Sequence, residues 1–335
     1  MRLLTVSFTF ASMRKTMFYT GLMIMLLSCH FAEGSKETNT STQEDVQEEK
    51  PLLHISQTDT AIFYNFMHWA SSNQLATQPL PEVIVGVARY FLGKPYVAHT
   101  LDTEGEERLV VNLREFDCTT FVENVLALSY CLKSGAYEMD QFIFYLKQLR
   151  YRDGEIDGYP SRLHYISEWL GDNEEKGLID IVSNRLGQSS TGEKINFMSE
   201  HVESYPKLRD NVEFIREISE IEHHISSYDL KYIDEEQIEN FTDSIQDGDV
   251  LAFCTTIEGL DVVHLGLALH DKNKLYFIHA STRGNKVKIS ETDLGEYVRN
   301  RENVYGIFVG RPKQVNGSVD MPISNPKLSM LSVST

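Results

Sequence analysis

The stretch Val262-Val263-His264-Leu265-Gly266-Leu267-Ala268-Leu269 decides how this chain folds. Leucine returns at every second position, Leu265, Leu267 and Leu269, while His264, Gly266 and Ala268 fall between. That period of two marks a strand with one apolar face. Asp271-Lys272-Asn273-Lys274 follows with the composition of a tight turn, and Leu275-Tyr276-Phe277-Ile278-His279-Ala280-Ser281 reads as the returning strand. If Asp271 pairs with Lys274, facing residue numbers sum to 545. Gly266 then faces His279, His264 faces Ser281, and the two histidines become diagonal neighbours on one face, backbones roughly 7–8 Å apart. A one-residue bulge in the turn would put them on opposite faces. The small residues beside His264 leave its face open, with room for a helix end or a substrate.

Outward from this hairpin, Val250-Leu251-Ala252-Phe253 and Val304 to Val309 are further short β-like runs between Gly, Asp and Asn turns. The first half has another period. Thr60 to Ala70 and Leu80 to Leu92 carry apolar residues three to four apart, and helical runs also follow Cys118 and span Met139 to Leu149. Helices first and an antiparallel sheet second predict an α+β fold, not βαβ winding. Residues 150–245 are long, polar and interrupted by glycine, as expected of an insertion that shapes a cleft or forms a subdomain. No repeat is visible, so 51–312 reads as one domain.

In Glu115-Phe116-Asp117-Cys118-Thr119-Thr120-Phe121-Val122, polar residues give way at Cys118 to a helical pattern with Val122, Val125, Leu126, Ser129 and Leu132 on one side. Cys118 is therefore expected at or near a helix N-terminus, where unpaired amides and the dipole favour a thiolate and lower the thiol pKa. An inert buried cysteine is the alternative. That is the expected role of Cys131, inside the apolar helix, and of Cys254, in a strand. A nucleophilic cysteine needs a base. His264 and His279 on one face offer one imidazole to act and another to fix its tautomer.

Over 335 residues the formal charge is −18, which argues against a sequence-independent grip on nucleic acid or on an anionic bilayer surface. Hydrophobic residues at 41% exclude wholesale disorder. The four cysteines include no CxxC pair, so neither a disulfide-stapled miniprotein nor a zinc ribbon is expected. HExxH is absent and His223-His224 are adjacent, so no metal and no cofactor are expected. Arg14 and Lys15 precede an apolar run from Met17 to Leu27, too short to cross a bilayer but suited to a signal peptide over 1–28. Residues 29–50 are polar and acidic and read as a disordered tether. Residues 313–335 read as a loosely held C-terminal tail.

Taken in order, Gly93-Lys94-Pro95-Tyr96, Phe116-Asp117-Cys118, Gly248-Asp249-Val250-Leu251, His264-Leu265-Gly266-Leu267 and Phe277-Ile278-His279-Ala280-Ser281 resemble the NlpC-type papain-like cysteine hydrolases of bacterial cell walls. The resemblance implies a papain-like NlpC-type fold, N-terminal helices packed on a C-terminal antiparallel sheet, with the long insertion shaping the cleft. It also implies Cys118 as nucleophile, His264 as base and His279 as the orienting third residue. Tyr96 would help the Cys118 amide hold the oxyanion. The step from Tyr96 to Cys118 is longer than the family's usual one by an extra loop, Thr100 to Leu113.

Pro160-Ser161-Arg162-Leu163-His164-Tyr165 with Trp169, and Asn196-Phe197-Met198-Ser199 with His201, resemble the AmiA-like N-acetylmuramoyl-L-alanine amidase branch of that superfamily. This implies a peptidoglycan-derived muropeptide substrate, including anhydromuramoyl forms, cut between the lactyl group of muramic acid and L-Ala. Arg162 is then a candidate clamp for a substrate carboxylate. His164, Tyr165, Trp169 and Asn196 are the other candidate substrate contacts, Tyr165 and Trp169 either stacking on a sugar or filling a small core. Leu26-Leu27-Ser28-Cys29 resembles the bacterial lipobox, which implies lipidation of Cys29 and an exported protein held to the membrane by its lipid, facing the periplasm. Two other readings stay open: a γ-D-glutamyl-meso-diaminopimelate endopeptidase using the same triad, and a non-catalytic, lipid-anchored glycan-binding protein.

Overall fold

In the computed structural model, which describes residues 52–315 apart from 188, 191 and 193, a short strand β1 (Leu53–Ile55) runs directly into helix α1 (Gln57–Ser72). The expected signal peptide and tether, with Cys29, and the tail after 315 lie outside the described residues. Ser56 caps α1 by accepting from the Asp59 amide at 3.1 Å. Helix α2 (Leu80–Tyr90) buries Val83, Ile84 and Val87. The extra loop then supplies β2 (Leu109–Val111), which pairs in parallel with β1, Leu53 facing Leu109. Asp59 holds the end of that loop, accepting from the Leu113 amide at 2.9 Å and from Arg114 Nε at 3.1 Å.

Helix α3 (Cys118–Ser134) is the axis of the fold. Every residue from Thr120 to Leu132 is buried, so the single apolar side read from the sequence is in fact enclosed all round. Its polar members are satisfied locally: Asn124 donates to the Thr120 carbonyl, Ser129 to that of Val125, and Glu123 accepts from Arg150 at 2.7 Å. Gly135, at φ 76°, ends the helix in the left-handed conformation that glycine adopts without strain. Helix α4 (Met139–Arg150) packs beside it. These four helices are the four helical runs expected from the sequence.

The insertion carries more order than its polarity suggests. It contains α5 (Ile166–Glu175), β3 (Ile179–Ile181), α6 (Ser183–Leu186), β4 (Ser189–Ser190), α7 (Phe197–Glu200), α8 (Val212–Ile225), β5 (Lys231–Asp234) and α9 (Ile238–Phe241). Tyr159, Tyr165, Met198, Leu208, Ile218 and Ile225 give it a small core of its own. After it come β6 (Val250–Thr255), β7 (Val262–Asp271), β8 (Lys274–Ser281), β9 (Lys286–Ile289), α10 (Leu294–Arg299) and β10 (Val304–Pro312). The large sheet runs β4-β5-β10-β6-β7-β8-β9, antiparallel at every step, and β3 also pairs with β10.

One face of this sheet, through Val250, Ala252, Leu265, Leu267 and Ile278, joins the main core with α1 to α4. The other, through Leu251, Phe253, Ala268 and Phe277, is covered by Leu294 and Val298 of α10 and Ile238 of α9. The expectation of one apolar and one open face is thereby corrected. Two short helices with little periodicity of their own cover the second face.

Candidate active site

Strands β7 and β8 pair in the expected register: Asp271 faces Lys274, Leu269 faces Tyr276 and Leu267 faces Ile278. His264 and His279 accordingly meet, Nε2 of the first lying 2.6 Å from Nδ1 of the second, ring edge to ring face. The surroundings of this pair are aromatic. Phe253 packs against His264 with ring centroids 5.7 Å apart, and Phe277 against His279 at 4.7 Å. Gly266 does not leave an open space, because a Cβ built there would meet Phe277 Cδ2 at 2.6 Å.

Cys118 is the first residue of α3, and Asp117 is its cap. The Asp117 carboxylate accepts from the Thr120 amide at 2.7 Å, while Thr120 Oγ1 accepts from the Asp117 amide at 2.9 Å, a reciprocal capping box. The first-turn amides of a helix have no partner within it, which makes the Cys118 N–H a candidate donor to a ligand. The sulfur is approached by the backbone N–H groups of Thr119 and of Leu265, the residue directly after His264. The start of α3 and the strand that carries His264 are thus brought together, although they lie far apart in the sequence. Cys131 and Cys254 are buried.

The electrostatics differ from the expectation. Burial, reinforced by the Asp117 carboxylate, pushes the Cys118 thiol up to about 11, and the amides of Leu265 and Thr119 offset only part of this. The helix terminus does not prevail because the half-buried thiol is desolvated and the Asp117 carboxylate acts in the same upward direction. Burial and then Arg301 bring His264 down to about 4, and burial with the neighbouring His264, Lys288 and Arg301 takes His279 lower still. Each of these shifts favours the uncharged form, a thiol at Cys118 and a neutral imidazole at His264 and at His279.

Tyr96 reaches this site despite the extra loop. Its backbone bridges in parallel to Phe116 and its N–H donates to Asn285, which ties the segment both to the approach to Cys118 and to the turn before β9. Burial, then Cys118 and Asp117, raise its phenol, so it is protonated and able to donate. Tyr297 on α10 was not singled out from the sequence. Cys118 adds to the burial that raises its phenol, and its ring lies 6.1 Å from that of His279. Nothing in a six-residue helix without strong periodicity could have flagged it. No group of three or more His, Cys, Asp or Glu among the described residues is arranged to hold a metal.

The expected substrate contacts are engaged within the protein. Arg162, 7% exposed, is held by Asp102 at 3.2 Å and by Glu107 at 3.7 Å, and it lies over the Tyr159 ring. It clamps the extra loop rather than standing free for a ligand. Tyr165 is buried, donating to Glu222 at 2.6 Å and accepting from the Met198 amide, while Trp169 is fully buried in the main core. Of the two roles expected for them, both side chains take the one of filling the interior. His164 bonds the Tyr159 carbonyl at 2.9 Å, and burial takes it down to about 3. Asn196 opens α7, its amide bonded to the Gly259 carbonyl.

A family model described as AmiA-like, N-acetylmuramoyl-L-alanine amidase-like, matches residues 86–307. The chain belongs to that family. Its fold is similar to a crystal structure of an N-acetylmuramoyl-L-alanine amidase from Bacteroides uniformis, with a TM-score of 0.67 and 35% identity over 70% of this chain and 99% of that one. A Bacteroides fragilis protein provisionally named a xylanase is also similar, at 35% identity over 68% and 99% of the two chains and a TM-score of 0.65. A Legionella pneumophila protein, 20% identical over 78% and 97% with a TM-score of 0.57, shares the fold. Among curated proteins no match was found. Membership of the AmiA-like family makes this chain an amidase-like hydrolase of the cell-wall type.

Proposed function

We propose that this AmiA-like protein hydrolyses the amide between the lactyl group of muramic acid and L-Ala in peptidoglycan-derived muropeptides, as a papain-like cysteine amidase of NlpC type. The observation that carries the reading is the 2.6 Å contact of His264 Nε2 with His279 Nδ1, one residue away from the Leu265 amide on the Cys118 sulfur. That contact leaves His264 Nδ1 as the nitrogen to serve the thiol. A base at Nδ1 requires the His264 hydrogen on Nε2, donated to His279 Nδ1. His279 then carries its own hydrogen on Nε2.

The thiol proton passes to His264 Nδ1 as the sulfur bonds to the lactyl carbonyl carbon, so thiolate and imidazolium arise together on the substrate instead of standing ready beforehand. The Cys118 amide and the Tyr96 hydroxyl stabilise the oxyanion. Collapse breaks the carbon–nitrogen bond, the His264 proton goes to the departing L-Ala nitrogen, and a thioester remains. His264 then takes a proton from water, which attacks the thioester and releases the lactyl carboxylate and the thiol. Paired carboxylates, which glycoside hydrolysis uses, are not what gathers beside this sulfur.

We also propose export and lipid anchoring through Cys29, which labelled-lipid incorporation lost in Cys29→Ala would support. The hydrolase reading is tested by digesting purified muropeptides and weighing the products. Free disaccharide with an intact stem peptide is expected from the wild type and none from Cys118→Ala. Cleavage after γ-D-Glu, or full activity in the variant, would overturn it.

A further inference from the structure

His279 Nε2 is buried and has no hydrogen-bond partner, although the tautomer argued above places the ring's hydrogen on it. His279 also forms part of the wall of a pocket of about 90 Å³, room for several waters or one small oxyanion. Arg283, Lys288 and Arg301 line the same pocket, against the single carboxylate of Glu291. Lys288 stands directly across the strand pair from His279. In a chain of net charge −18 this is a local inversion of sign. The cations are only partly engaged: Lys288 reaches Glu291 at 2.7 Å, and Arg301 donates one bond to the Tyr297 hydroxyl at 3.0 Å while lying over its ring.

We propose that this pocket binds a carboxylate or small oxyanion which accepts the His279 Nε2 hydrogen and holds the histidine pair in its working tautomer. The reading rests on His264 being the base. Nε2–H is the one donor of the relay left without an acceptor, and an anion there completes a chain from the Cys118 thiol through both rings. The groups facing His279 are His264 from β7, Lys288 from β9, Tyr297 from α10 and Arg301 after it, with Cys118 of α3 nearby. Arg283 and Glu291 also line the pocket, but the Glu291 carboxylate is paired with Lys288 and is not bonded to His279 Nε2. A bound anion offsets Lys288 and Arg301, which otherwise oppose proton uptake by the pair. Two sources supply this chemistry: a carboxylate of the stem peptide, or a free oxyanion of the medium.

The test follows the imidazole nitrogens of the ¹⁵N-labelled full chain by long-range proton–nitrogen NMR during titration with sodium sulfate, sodium chloride serving as an ionic-strength control. A saturable shift of His279 Nε2 is expected with sulfate, and binding at least about tenfold weaker in Arg283→Gln and in Lys288→Gln. No saturable shift, or equal affinity in both variants, would overturn the site. Repeating the titration on Cys118→Ala with a muropeptide present separates the sources. Competition assigns the pocket to a substrate carboxylate, independent binding assigns it to a free anion, and either upholds the site. No turnover is involved, so failure here is distinct from failure of the amidase reading.

Discussion

Cys118 combines three properties that pull its thiol in different directions. Its place at the start of α3 was legible from the change of pattern after Asp117, because capping residues and apolar spacing are local signals. The state of the thiol was not, because enclosure depends on β7 and α10, which are distant in the chain. Burial is the larger influence and Asp117 the second, both upward, and the amides of Leu265 and Thr119 act downward. A thiol raised to about 11 has its reactive form increasing throughout the neutral range. Iodoacetamide alkylation of Cys118 is therefore expected to rise about tenfold per pH unit from pH 7 to 9, without a plateau. Asp117→Asn keeps a capping oxygen and removes the charge. It should lower the thiol pKa and speed alkylation at pH 7 while leaving thermal stability nearly unchanged. Alkylation already at its plateau below pH 7 in the wild type would contradict the neutral resting pair.

At the scale of the element, the β7–β8 hairpin was legible to the residue, since alternation and a four-residue turn fix register in antiparallel strands. What covers it was not. The second hydrophobic layer comes from α9 and α10, four and six residues long, whose apolar side chains are too few to set a period. Gly266 shows how this layer governs the site. A methyl group at this position would meet the Phe277 ring at 2.6 Å and the Ile278 carbonyl at 3.3 Å, and Phe277 touches both His279 and Tyr297 at 4.7 Å between centroids. Gly266→Ala should cost about 1–3 kcal/mol by overpacking. It should also lower kcat more than it raises KM, since the displaced ring bears on the histidine pair. Adding Phe277→Leu should return part of both losses. A double variant no better than the single, in urea denaturation and in kcat, would show that the glycine acts elsewhere.

Across the whole molecule, the insertion is where sequence and structure part company. Its charges and glycines read as cleft-shaping loops or a subdomain, with no strand expected in it, yet β3 and β5 extend the main sheet through β10, and its tyrosines and isoleucines build a separate small core. Pairings so far apart in sequence leave no local signature, and side chains that suit a carbohydrate also suit an interior. Arg162 decides between those meanings. As a clamp on substrate its loss would raise KM and spare the fold. Here it joins the insertion to the extra loop through Asp102, whose carboxylate also bonds His99, and through Glu107, which accepts from Tyr151 at 2.9 Å. Glu107 is itself buried, so Arg162→Met would strand an enclosed carboxylate, a change that costs about 3–5 kcal/mol when one partner of a buried pair is removed. The expected result is a marked fall in the urea midpoint, with KM for muropeptide unchanged in the fraction that remains folded. A variant of undiminished stability whose KM rises about tenfold or more would return Arg162 to the binding cleft, since a charge-assisted bond to a substrate carboxylate is worth at least that much.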